Sequence, residues 1–250
     1  MRIDAELNLT VWSEIKNTGF WSAGISTPKT YATGEEYGME HKKQDVEILM
    51  TTYNGERYLR EQIDSILKQS YEDWHLLISD DGSSDHTPEI IEEYSTRYPQ
   101  RISRVRLGKR FGNAREHFFV LMQTSAAEVI FFCDQDDVWL SDKMERTLRA
   151  LRDAEQKYGQ DVPILVYTDV TQVRENLEPI VPSLMQMQQQ NPHAVDYRNI
   201  LFQNIVTGCT VVVNRALVEL AARCADIART IMHDWWLALV AARFGKLIYV

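Results

Sequence analysis

Asp134, Asp136 and Asp137 stand directly after the apolar run Val129–Cys133. Side chains alternate along an extended chain, so Asp134 and Asp136 face the same side. Two carboxylates about 4 Å apart repel by about 4 kcal/mol at an effective dielectric of about 20. A cation between or beside them removes that cost. Oxygen donors favour Mg2+ or Mn2+, which keep several waters and complete their shell with substrate phosphates. The plain alternative is a solvated acidic turn ahead of the next helix, with Asp137 a structural hydrogen-bond acceptor. Phe131 and Phe132 weigh against it, because a buried strand fixes the acids at the edge of the core.

A second acidic group, Asp80-Asp81-Gly82-Ser83-Ser84-Asp85, follows the run Trp74–Ser79. A carboxylate here is placed to accept from the ring N–H of a pyrimidine base, and Gly82 admits close backbone approach. The same residue types also make an ordinary strand-to-helix turn.

The elements that must hold these groups are readable from periodicity. Val46–Thr52 is a strand broken by Asn54-Gly55, and Leu59, Ile63, Ile66 and Leu67 then recur at helical spacing. Trp74–Ser79 is the second strand. Thr87 is expected to cap the next helix, with Pro88 at its first position. Ile102–Leu107 is a weaker strand, Ala114–Gln123 a helix, and Val129–Cys133 a strand; Ser141 is expected to cap a helix running to about Lys157. Ile164–Tyr167 and Val206–Asn214 read as further strands, and His233–Phe244 as a helix. Alternating strands and helices imply an α/β fold with a mainly parallel central sheet covered on both faces. Ligands of such sheets sit beyond the C-terminal strand ends. The polar groups at 51–54, 80–85 and 134–137 fall at those ends.

With 250 residues, 44% hydrophobic and 25% charged, the chain suits one large domain. Residues 1–44 have no sustained period and are treated as an N-terminal extension; 45–250 form the main domain. The chain stops at Lys246–Val250, a strand just begun, so the C-terminus is expected to be truncated. The net charge of −9 argues against nucleic acid as a partner. Cys133, Cys209 and Cys224 lie among apolar neighbours and read as reduced, buried thiols in a cytoplasmic protein. The start of the chain lacks the pattern of a signal peptide, and no apolar run is long enough to span a bilayer. Peripheral docking at the inner membrane face, through partners or a missing segment, is compatible with this.

Three stretches in order, 48–55, 79–85 and 134–139 (Asp-Gln-Asp-Asp-Val-Trp), resemble family 2 glycosyltransferases of the GT-A fold over about residues 46–250. The Asp-Gln-Asp-Asp-Val-Trp form and His233-Asp234-Trp235-Trp236 look most like the rhamnosyltransferase-like branch, which uses dTDP-L-rhamnose in bacterial surface polysaccharide synthesis. The resemblance implies a nucleotide diphosphate sugar as donor and a saccharide or lipid-linked saccharide as acceptor. It places Thr52, Tyr53 and Asn54 by the nucleoside, Asp80 on the pyrimidine ring, and Asp134 near the ribose or metal. Asp136 would ligate the Mg2+ or Mn2+ that bridges the diphosphate. Arg110 or Arg115, in a loop matching the donor side, would neutralise phosphate, unless that loop is simply a basic surface.

Inverting transfer needs a base for the acceptor hydroxyl proton. Asp234 falls at the family's late acidic position and is the candidate, with Trp235 or Trp236 to stack on an acceptor ring. Its other reading is an acid favoured by the dipole in a first helical turn. His233 would orient Asp234, touch the diphosphate or be exposed. Gly208 and Cys209 would line the sugar pocket, since a strand glycine often marks close approach of a ligand; a plain bulge is the alternative. Two competing functions remain open on the sequence: a non-catalytic nucleotide-sugar-binding or assembly module, and a nucleotidyltransferase. The second lacks a glycine-rich, lysine-bearing loop for a triphosphate.

Overall fold

The computed structural model describes residues 45–227 and 229–250. The expected N-terminal extension, residues 1–44, lies outside them. Val46–Thr52 (β1), His75–Asp80 (β2), Ile102–Val105 (β3) and Val129–Cys133 (β4) are the first four strands, and Ile164–Tyr167 (β5) follows. Between them run helices Leu59–Leu67 (α1), Thr87–Arg97 (α2), Ala114–Thr124 (α3) and Lys143–Tyr158 (α4). A small hairpin, Gln172–Val173 (β6) with Pro179–Val181 (β7), stands apart from the main sheet. Two short helices follow, Leu184–Met187 (α5) and Tyr197–Phe202 (α6). The chain then makes a 3-10 turn at Gly208–Thr210 before Val212–Asn214 (β8), Arg215–Cys224 (α7), His233–Phe244 (α8) and Lys246–Tyr249 (β9).

The seven main strands form one sheet in the order β3-β2-β1-β4-β8-β5-β9. All neighbours are parallel except β8, which runs antiparallel to β4 and β5. The α/β architecture with a mainly parallel central sheet expected from the sequence is therefore present. Alternation along the strands sends side chains to two cores. Leu49, Leu77, Ile130 and Phe132 pack with α3, α7 and α8; Ile48, Met50, Ile78 and Phe131 pack with α1, α2 and α4.

Several local expectations need correction. Val206–Asn214 is not one strand, because the backbone turns at Gly208–Thr210 and only Val212–Asn214 pairs. Thr87 does not cap its helix: its Oγ1 accepts from the Gly55 N–H, and Asp85 accepts from the Thr87 N–H. Helix α4 starts after Asp142 rather than Ser141. Helix α7 was not foreseen; Asn214 caps it by accepting from the Leu217 N–H. Cys133 and Cys209 are buried as expected, whereas Cys224 is exposed. Among the described residues, no helix is long and apolar enough to cross a membrane.

Candidate functional site

Register brings the polar groups together. Thr52 is paired with Asp80 across β1 and β2, and Met50 with Cys133 across β1 and β4. The three strands therefore end side by side, and the residues just beyond them surround one cleft of about 590 Å³. Thr52, Tyr53, Asp81, Arg110, Asp134 and Asp136 are among its walls.

Thr52 and Tyr53 line this cleft. Tyr53 is half exposed, and the Arg110 guanidinium sits 4.9 Å over its ring and donates to its hydroxyl at 2.7 Å. Gly82 holds a positive φ of 79°, a left-handed turn conformation that favours glycine, beside the Arg110 stem. Asn54 does not face the cleft. It holds φ at 49°, its N–H donates to Ser83 Oγ, and its side-chain oxygen accepts from the Ser84 N–H. It joins the two loops.

Asp80 also requires correction. Its carboxylate is consumed by the turn, accepting from the Gly82 and Ser83 N–H groups and from the Thr52 and Ser83 hydroxyls. The cleft position belongs to Asp81, which accepts from the N–H groups of Phe111 and Gly112 and so also pins the loop before α3. Beside it, His117 bonds Ser79 Oγ at 2.8 Å and stacks on Phe111. Burial lowers the His117 pKa. His117 has no signature in sequence beyond a polar residue directly before the apolar stretch Phe118–Met122.

Arg115 turns away from the cleft: its Nη1 donates to the Thr230 carbonyl, tying α3 to the segment ahead of α8. Of the two candidate arginines, Arg110 is the one at the cleft.

Asp134, Asp136 and Asp137 form an acidic edge on the cleft side of β4. Burial, then the charges of Asp137, Asp136 and Asp234, push the Asp134 pKa up to about 7. Burial and Asp137 raise Asp136, which is exposed at the cleft mouth. Asp134, Asp137 and Cys209 each bring one ligand atom within 4.8 Å of the others. One Asp137 oxygen is buried without a hydrogen-bond partner. Asp134 and Asp136, pushed toward neutrality, together with the orphaned Asp137 oxygen, are a donor set that a divalent cation would satisfy. Asp137 is thus as well placed as Asp136 to hold one. Its closeness was hidden in the sequence because the chain turns immediately after β4.

Asp234 is buried in the first turn of α8, accepts from the Trp235 N–H, and lies 3.4 Å from the Asn204 amide nitrogen. Burial raises its pKa. Gly208 explains the approach on this side: a Cβ there would lie 3.2 Å from His233 Nε2 and 3.5 Å from Asp234 Oδ2. Gly208 therefore marks close approach of protein side chains, from within a 3-10 turn. His233 is not exposed. It is buried against Phe118 and Phe132, and neither ring nitrogen has a hydrogen-bond partner. Trp235 and Trp236 pack on the core, with their indole N–H groups bonded to the carbonyls of Ile200 and Ala221. They are not free platforms for an acceptor ring.

The sequence model described as "Glycosyl transferase family 2" matches residues 47–209. The chain belongs to glycosyl transferase family 2. It is 30% identical over 196 residues to the dTDP-rhamnosyl transferase RfbG of Shigella flexneri, covering 75% of this chain and 63% of the relative. It is 29% identical over 180 residues to WfgD of Escherichia coli, a UDP-Glc:alpha-D-GlcNAc-diphosphoundecaprenol beta-1,3-glucosyltransferase, covering 70% and 62%. The chain thus spans about three-fifths of the length of these curated relatives. Among solved structures, S. aureus TarS 1-349 in complex with UDP aligns with a TM-score of 0.60 at 15% identity, covering 83% of this chain and 58% of that one. The mannosyltransferase PcManGT from Pyrobaculum calidifontis, in complex with GDP-Man and Mn2+, aligns with a TM-score of 0.62 at 17% identity, covering 84% and 55%. These two likenesses establish the GT-A glycosyltransferase fold.

Proposed function

We propose that this family 2 member is an inverting, metal-dependent glycosyltransferase acting on a nucleoside diphosphate sugar. The observation that carries the reading is convergence: β1, β2 and β4 end on one cleft with an acidic edge, and the buried Asp234 acts electrostatically on Asp134 at that edge. Tyr53, Arg110 and Asp81 bind the nucleoside, with Asp81 the acceptor for a pyrimidine N–H. Asp134, with Asp136 or Asp137, holds Mg2+ or Mn2+. When bound, that ion draws charge from the departing diphosphate. Asp234 takes the proton of the acceptor hydroxyl as its oxygen attacks the anomeric carbon and the bond to the diphosphate oxygen breaks. Its raised pKa makes it a better proton acceptor than an exposed aspartate.

The name of the relative RfbG favours dTDP-rhamnose as donor, and that of WfgD favours a lipid-linked saccharide acceptor. Work at the inner membrane face would follow from such an acceptor. The test is release of nucleoside diphosphate by purified protein with dTDP-rhamnose or UDP-glucose, in Mg2+ or Mn2+. Turnover is expected with one donor, and Asp136→Ala is expected to abolish it. Equal turnover in that variant would remove Asp136 from the metal site.

A further inference from the structure

Helix α1 buries polar residues among the apolar ones of its inner face. Leu59, Ile63 and Ile66 fill the core as their spacing requires. Beside them Gln62 and Ser65 are only 0% and 6% exposed, and Gln69, just past the helix end, is 5% exposed. Burying an amide or a hydroxyl is costly unless it is hydrogen-bonded. All three find partners in the segment that carries the acidic edge and leads into α4. The Gln62 amide lies between the Asp137 carbonyl and the Trp139 indole. With its nitrogen toward the carbonyl both are satisfied: it donates to the Asp137 carbonyl and accepts from the Trp139 indole N–H at 3.2 Å. Ser65 Oγ accepts from the Trp139 backbone N–H at 3.0 Å, while its hydroxyl donates to the Gln62 carbonyl at 2.8 Å. Gln69 donates to the Leu140 carbonyl at 2.7 Å and accepts from the Met144 N–H at 3.1 Å.

We propose that Gln62 and Ser65 are positioning residues for transfer, an inference that rests on the metal-dependent reading above. Strand β4 ends at Cys133 and so fixes Asp134 directly, but Asp136 and Asp137 lie in irregular chain beyond it. No strand holds the backbone there, and crowded like charges push the carboxylates apart. Gln62 grips residue 137 itself, whose carboxylate comes within 4.8 Å of ligand atoms of Asp134 and Cys209. Ser65 holds the backbone at Trp139, just beyond it. The acidic loop is thereby kept near its cation-binding shape before an ion arrives, and less ordering remains to be done on binding. An apolar side chain at 62 would fill the core, but it would leave the Asp137 carbonyl and the Trp139 indole without the amide.

Gln62→Met keeps the length of the side chain and removes both of its bonds. Ser65→Ala is the smaller change and carries the test if Gln62→Met does not fold. Ile102→Val, buried in the edge strand β3, is the control for lost stability alone. Mn2+ binding by calorimetry, transfer kinetics and hydrogen exchange of segment 137–144 are compared across the variants. Gln62→Met is expected to bind Mn2+ about tenfold more weakly than the parent, the worth of roughly one hydrogen bond, and Ser65→Ala several-fold more weakly. Amides of 137–144 exchange faster in both variants, while those of β1 and β4 keep their protection. At saturating Mn2+ and donor, kcat falls in both, whereas Ile102→Val keeps the parent's Mn2+ affinity and kcat. Parent-like Mn2+ affinity in the folded Gln62 and Ser65 variants, or equal weakening in Ile102→Val, overturns the proposal alone. No Mn2+ binding by the parent overturns the metal-dependent reading together with it.

Discussion

Gln135 grips Tyr53 by both backbone groups: the Tyr53 N–H donates to Oε1 at 2.9 Å, and Nε2 donates to the Tyr53 carbonyl at 3.1 Å. The amide occupies the space a side chain at position 55 would need, since a Cβ on Gly55 would collide with Oε1. The acidic loop after β4 and the loop after β1 are thereby locked to each other. Each bond contributes about 0.5–1.5 kcal/mol. Gln135→Ala should lower the melting temperature modestly and raise the donor KM several-fold with little change in kcat. Gly55→Ala should have the same effect by evicting the amide. An unaltered KM in both variants would show that the lock does not shape the donor site.

Asp80 and Asp81 are neighbours with opposite assignments. Asp80→Ala strands two N–H groups and two hydroxyls in the turn, so a stability loss of about 1–3 kcal/mol is expected. Asp81→Ala releases the loop at Phe111 and Gly112 and removes the acceptor at the cleft wall. Its dissociation constant for a pyrimidine nucleoside diphosphate should rise about tenfold, the worth of roughly one good hydrogen bond to a charged group. Calorimetric titration and thermal melts of the two variants separate the roles. If Asp80→Ala loses nucleotide and Asp81→Ala does not, the base is read from the other carboxylate.

The strand ends were legible because β1, β4 and β5 are apolar runs stopped by polar residues, and their bounds coincide with the sequence reading. Period alone could not resolve Asp80 from Asp81. Alternation sends adjacent residues to opposite faces, but which face opens on a cleft depends on strands distant in sequence. Thr207-Gly208 inside an apolar run concealed a backbone turn for a similar reason, since an apolar run does not distinguish a strand from other buried chain. Helix α7 did leave a signal: Asn214 as cap, then Leu217, Val218 and Ala221 at helical spacing.

His233 ties the site to pH. Burial moves its pKa from 6.5 down to about 3, so the folded protein holds a neutral ring where the unfolded chain is protonated. The unfolded state binds the extra proton below pH 6.5, so the penalty is absent above that value and grows as pH falls toward 3. His233→Leu removes this contribution and the two unpartnered ring nitrogens. Between pH 7.5 and about 5 the parent should lose more melting temperature than the variant. Parallel losses would mean that the ring is protonated or solvated in the fold.

In the proposed transfer Asp234 is the base. Asparagine at this position keeps the shape and the acceptor oxygen for the Trp235 N–H, but it cannot take a proton. Loss of a positioned general base typically costs about 10²–10⁴ in rate. Asp234→Asn should therefore lower kcat by that order while donor binding stays close to that of the parent. Mn2+ binding is expected to weaken modestly, because the Asp234 charge that acts on Asp134 attracts a cation as it attracts a proton. Single-turnover transfer, set beside equilibrium donor binding, separates the two effects. A variant that binds donor and transfers at the parent rate would leave Asp234 as a buried helix-end acid and send the search for the base elsewhere in the cleft.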